Sequence, residues 1–130
     1  MPKKGKVLII EDDAGVRESL RTILKRDYDV FVATSGHQAL EILRDTSIDT
    51  VTLEPWLAGA QGREVFERIR RASPAARVII VSGQRLSRWF DDTVREEVFD
   101  YLPKPFEKRD LLRAIERSLV RTGTALALTS

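Results

Sequence analysis

Two short stretches of the chain are apolar without interruption, Val7 to Ile10 and Val78 to Val81. A strand with one wet face alternates apolar and polar residues, so unbroken runs predict strands buried on both faces, as in a parallel sheet. Elsewhere apolar residues recur at steps of three and four. Val16, Leu20, Ile23 and Leu24 form one stripe, Ala39, Leu40, Ile42 and Leu43 a second, Val65, Phe66 and Ile69 a third, and Leu111, Leu112, Ile115 and Leu119 the last. Each predicts a helix laying one face on a sheet. Leu86, Trp89, Phe90, Thr93 and Val94 also share a face and predict a helix between the third and the last, with Trp89 and Phe90 as core packing. The intervening segments Val30 to Ala33, Thr50 to Leu53 and Phe99 to Leu102 are β-branched or aromatic and have strand length. Strand and helix therefore alternate five times. That order predicts right-handed crossovers and a doubly wound α/β domain, five parallel strands with helices on both sides. Ser35 with Gln38 predicts a capping box opening the second helix, and Ser73-Pro74 closes the third. From Thr122 the run TGTALALTS carries no strong helical stripe, which predicts a domain over 1–121 and a fraying tail or linker start over 122–130.

A chain of 130 residues has room for one such core and no second domain. Its 22 basic and 20 acidic residues leave +2, so the charge is mixed despite a pI near 9.1, and direct nucleic-acid binding gains no support. The absence of cysteine excludes disulfides and thiolate metal sites, and a single histidine disfavours a zinc site or a serine-histidine triad; any metal must be held by oxygen. His37, among polar residues near a helix start, is assigned no function. After MPKKGK the apolar run ends within four residues at acidic ones, too short for a leader or a membrane span, and the expectation is a soluble, cytoplasmic chain.

In an open doubly wound sheet, ligands bind outside the carboxyl ends of the strands. Those ends carry Glu11, Asp12 and Asp13 after strand one, Glu54 after strand three, Ser82 at the end of strand four and Lys104 after strand five. Crowded carboxylates repel one another and call for a cation; few hard oxygen ligands completed by water suit Mg²⁺. A lysine and a hydroxyl across the same crevice can hold phosphate oxygens. Asp13 is read as the N-cap of the first helix.

The motifs VLIIEDD with Arg17 five places after Asp12, IDTVTLEPWLAGAQG, VIIVSG and DYLPKPF make the chain resemble the receiver domain of two-component response regulators, from Lys6 to about Val120. The resemblance implies the flavodoxin-like strand order 2-1-3-4-5 with five helices. It implies that Glu11 and Asp12, with Glu54 and the main-chain carbonyl of Trp56, are the Mg²⁺ ligands, that Ser82 and Tyr101 form the switch, and that Lys104 contacts a bound phosphoryl group. It also implies a cis Lys104-Pro105 bond. Where the family has its phosphoacceptor aspartate, this chain has Glu54. The extra methylene moves the carboxylate by roughly 1.5 Å, when a displacement of about 1 Å can cost on the order of a hundredfold in rate. Phosphotransfer is therefore expected to be impaired, or its product imitated by the longer anionic side chain, and Mg²⁺ to be weakly bound or absent. If Glu54 imitates the phosphorylated state by reaching Lys104 and Ser82, Tyr101 should turn inward and be shielded.

Other positions drift too: LAGAQG stands where the family commonly has a proline and an acidic residue, and Glu97-Val98 where it has Gly-Ala, so that Glu97 is a candidate for a strained left-handed helix cap. Such drift favours a natural degenerate receiver over an ordinary one with an engineered Asp-to-Glu change. The resemblance implies no enzyme but a signalling module, partnered by a histidine kinase or an output domain or protein, with homodimerisation through the fourth helix, fifth strand and fifth helix. The last helix is basic through Lys108, Arg109, Arg113, Arg117 and Arg121, a solvated face that can meet partners. A small Mg²⁺-dependent phosphatase is the remote alternative, with Glu11 and Asp13 at the nucleophile-acid spacing of haloacid-dehalogenase-type enzymes.

Overall fold

In the computed structural model, which describes residues 2–57, 62–83 and 92–129, strands and helices alternate along the chain in the expected order. The strands are β1 (Lys6–Ile10), β2 (Asp29–Ala33), β3 (Thr50–Leu53), β4 (Arg77–Ser82) and β5 (Asp100–Pro103). The helices are α1 (Ala14–Leu24), α2 (Gly36–Asp45), α3 (Gly62–Ala72), α4 (Asp92–Glu97) and α5 (Lys108–Thr129). All strands pair in parallel in the order β2-β1-β3-β4-β5.

The unbroken apolar runs divide between two cores because successive strand residues face opposite ways. Leu8, Ile10, Val51, Leu53, Val78 and Ile80 pack with Ala39 and Leu43 of α2 and Val65, Phe66 and Ile69 of α3 on one side of the sheet. Val7, Ile9, Ile79, Val81 and Leu102 pack with Leu20 and Leu24 of α1 and Leu111, Ala114 and Ile115 of α5 on the other.

Local chemistry sets the helix starts. The Asp13 side chain accepts a hydrogen bond from Val16 N at 2.9 Å, which makes it the N-cap of α1. Ser35 accepts from Gln38 N, while the Gln38 side chain reaches back to Thr34 N at 2.7 Å, one residue before the cap it would close in a strict capping box. At α3, a Cβ on Gly62 would lie 2.8 Å from both the Cβ and the carbonyl oxygen of Pro55, so only glycine allows this helix to start so close to the loop after β3.

Three further expectations concern α4 and the end of the chain. Leu86, Trp89 and Phe90 lie outside the described residues, and of the predicted fourth-helix face only Thr93 and Val94 fall within α4. Glu97 needs no left-handed cap: no described non-glycine residue has positive φ, and the chain leaves α4 extended, with Phe99 N bonding Val78 O at 2.8 Å. Helix α5 runs to Thr129, through the residues read as a tail or linker start, and Ala125 to Leu128 within it are all strong helix formers.

Candidate functional site

Register aligns the strand ends. Ile10 pairs with Leu53, so the next residues, Glu11 and Glu54, emerge side by side, with Glu54 N bonding Ile10 O at 3.0 Å. Ser82 pairs with Pro103, and Lys104 N continues that ladder to Ser82 O at 3.0 Å. The Lys104-Pro105 bond is cis, as the family resemblance implied.

From β5 the Lys104 side chain extends over β4 to both glutamates. Its Nζ donates to Glu11 Oε1 at 2.5 Å and to Glu54 Oε1 at 3.1 Å. The second oxygen of each carboxylate accepts a main-chain amide: Asp13 N–H to Glu11 Oε2 at 3.1 Å, and Trp56 N–H to Glu54 Oε2 at 3.2 Å. Both glutamates are buried, Glu11 to 1% and Glu54 to 8% exposure. Burial pushes the Glu11 carboxyl above its ordinary range; the Lys104 and Asp13 hydrogen bonds oppose this, and the charge of Glu54 adds to it. Burial pulls the Lys104 ammonium the other way, but its contacts with Glu11 and Glu54 together outweigh burial and hold it above the usual lysine range.

Of the other predicted site residues, Ser82 is fully buried at the end of β4 and Asp12 is exposed on the crevice rim. Tyr101 stays 37% exposed, its hydroxyl donating to Ser82 O at 3.3 Å. The shielded, inward Tyr101 expected of a phosphoryl mimic is therefore not the arrangement found; Glu54 directs its carboxylate at Lys104 and at the amide of its own loop. Asp13 spends its side chain on the α1 cap, which removes it from the acid role that the phosphatase alternative required.

Two features escaped the sequence reading. Glu54 and Ser82 are the partners that the sequence suggests for Lys104, but its shorter contact is with Glu11, from which it is separated by 93 residues. Arg17, noted only as part of a motif, donates to the carbonyls of Glu11 at 3.2 Å and Asp12 at 3.3 Å and so pins the turn that carries the acidic residues. Its place one turn into α1, facing back toward the strand end, was the available signal. A groove of about 460 Å³, lined in part by Val16, Ile23, Lys104, Pro105 and Phe106, runs beside the crevice between α1 and the loop after β5.

Receiver domains in general bind Mg²⁺ at this position. The donors here do not fit it as arranged. Every oxygen of Glu11 and Glu54 already accepts from an ammonium or amide, and among the described residues no three acidic, histidine or thiol groups converge to hold a metal.

Five parallel strands in 2-1-3-4-5 order, with an acidic residue, a hydroxyl and a lysine at three strand ends, define the response-regulator type of signalling domain. Residues 7–116 match the response regulator receiver domain family, and the chain belongs to it. Its similarity to a putative NtrX-like response regulator of Rickettsia bellii is 31% identity over 115 residues, covering 86% of this chain and 24% of that protein. The response regulator MprA of a Mycobacterium species is 31% identical over 126 residues, covering 91% of this chain and 52% of that protein. The chain thus spans about a quarter of the first of these relatives and about half of the second. A CheY-like receiver domain from Methanospirillum hungatei has the same fold, with a TM-score of 0.86 at 23% identity over 93% of this chain and 98% of that one. The receiver domain of a modulated diguanylate cyclase from Desulfovibrio desulfuricans superposes with a TM-score of 0.82 at 28% identity, again over 93% and 98%. Receiver domains are generally non-enzymatic signalling modules that interact with histidine kinases and output domains. Among the described residues no helix is long and apolar enough to cross a membrane.

Proposed function

We propose that this receiver domain is a silenced acceptor, working by protein–protein contact with phosphorylation at position 54 disabled. The observation that carries the reading is the Lys104 ammonium held between Glu11 and Glu54, with Tyr101 still exposed. The extra methylene of Glu54 places its carboxylate against Lys104, the group that would otherwise meet an incoming phosphoryl. It also leaves the Ser82 and Tyr101 pair without a phosphoryl to turn toward. Glu11, Asp12, Glu54 and the Trp56 carbonyl remain the family's metal positions, and in this reading they hold Mg²⁺ weakly or not at all. The partner surface is the face of α4, β5 and α5, used toward a histidine kinase, an output domain or a second copy. Arg117 is already paired there with Asp100 at 2.7 Å, which leaves that face partly self-neutralised.

Incubation with acetyl phosphate and Mg²⁺, followed by intact mass, tests the proposal. The unsubstituted chain should gain no phosphate, and Glu54→Asp should gain a base-labile one, because the shorter side chain withdraws from Lys104 and recovers in-line geometry. A robust acyl phosphate on the unsubstituted chain would overturn the reading.

A further inference from the structure

The four carboxylate oxygens at the crevice floor are shared between one ammonium and two amides. Lys104 Nζ takes Glu11 Oε1 and Glu54 Oε1, while the Asp13 and Trp56 amides take the two Oε2 atoms. An ammonium is a compact point charge with three donors, and here two of them meet carboxylates at hydrogen-bond distance. A divalent ion bridging the same two oxygens would have to occupy the same volume. Mg²⁺ demands near-octahedral oxygen ligands at about 2.0–2.1 Å, so it competes with Nζ for the two Oε1 atoms and for the space between them. Beside the ammonium it would also face a like charge within a few ångströms, in surroundings where two carboxylates are buried and screening is weak.

We propose that Lys104, bridged between Glu11 and the longer Glu54, is the resident cation of this crevice, an intramolecular ammonium in the place of a divalent metal, and that this bridge keeps metal out. The role of Glu54 is to extend far enough for one ammonium to bridge it and Glu11. This inference rests on the silenced-receiver reading and assigns the cause of its metal insensitivity. It follows that removing the ammonium uncovers a hard-cation site between Glu11 and Glu54 that the unsubstituted chain lacks.

The probe is the metal alone, Mn²⁺ followed by the electron paramagnetic resonance of the free ion, with Mg²⁺ in competition. Lys104→Met and Lys104→Gln should each bind at least about tenfold tighter than the unsubstituted chain, and adding Glu54→Gln should abolish the gain. Equal affinity in the unsubstituted chain and both lysine variants overturns the inference, as does a gain that survives Glu54→Gln. A measurement on the unsubstituted chain stands apart from any folding defect in the variants: the Lys104 side-chain ¹⁵N resonance should be unmoved by millimolar Mg²⁺, and displacement of that signal by the metal overturns the inference. The two ideas fail separately. Metal binding without acyl phosphate formation leaves the silenced receiver standing and removes the resident cation; acyl phosphate on the unsubstituted chain removes the silenced receiver itself.

Discussion

Along β3 the polar residues Thr50, Thr52 and Glu54 alternate with Val51 and Leu53, so a buried strand carries a polar stripe on the α5 side. The Thr50 hydroxyl lies 2.7 Å from Ser118 Oγ. Because the single Ser118 proton goes to Ile115 O at 2.6 Å, Thr50 is the donor in this pair. Thr52 Oγ1 is buried with no hydrogen-bond partner. Burying a hydroxyl unsatisfied costs about 1–3 kcal/mol, whereas a satisfied one contributes about 1 kcal/mol net. Thr52→Val, which keeps the shape, should therefore leave stability unchanged or raise it by about 1 kcal/mol, and Thr50→Val should lower it by about 1 kcal/mol. Urea unfolding of the two variants checks this, and equal effects would show that the two hydroxyls are equivalent after all.

Among the elements, the β3–α3 connection bears the most on the site, since it carries Glu54 at one end and starts α3 at the other. Pro55 and Gly62 are in contact across it. A methyl group at Gly62 would stand 2.8 Å from the Pro55 carbonyl oxygen, a main-chain atom that cannot step aside as a flexible side chain would. Gly62→Ala should thus force apart the start of α3 and the loop holding the Trp56 amide to Glu54, at about 1–3 kcal/mol of stability. The emission of the half-exposed Trp56 should shift in the same variant. An alanine variant as stable as its parent, with unchanged emission, would mean that the loop relaxes freely. The same economy of contact explains α1, where Asp13 caps the helix and its amide is held by Glu11, so that one turn serves both the fold and the site.

For the molecule as a whole, two groups tie stability to alkaline pH. Burial, with the charges of Glu116 and Asp27, raises the Tyr28 phenol, and the contacts with Glu11 and Glu54 raise the Lys104 ammonium. In both cases the folded state binds its proton more tightly than the unfolded chain. Their stabilisation is therefore complete below the unfolded values of about 10 for tyrosine and 10.4 for lysine, and it is lost as pH rises through the folded ones. Unfolding free energy should decline from about pH 10 upward, less steeply in Tyr28→Phe. In Tyr101→Phe, where Tyr28 is the remaining tyrosine, phenolate absorbance should appear at higher pH in the native chain than in denaturant. Coincident native and denatured titrations would remove Tyr28 from the account.

The helices and strands could be read from short windows because their pattern is local. Val7 to Ile10 and Val78 to Val81 record burial on two faces, and the stripes of α1, α2, α3 and α5 record a period of 3.6, all among residues close in the chain. The strand order was not local information: it came from resemblance to a family. The crevice residues followed from their places at the carboxyl ends of the strands, and the resemblance supplied their roles. How those residues combine depends on contacts across the whole sheet. Lys104 meets Glu11 and Glu54 over separations of 93 and 50 residues, and only the adjacency of β1 with β3 and the Ser82 to Pro103 register bring them within reach. The division of one ammonium between two carboxylates, and the exposed Tyr101, are outcomes of competition among charges and amides at a shared site. A linear pattern names the competitors, and three-dimensional packing decides among them because each bond made by Lys104 depends on which oxygens the folded sheet has already satisfied.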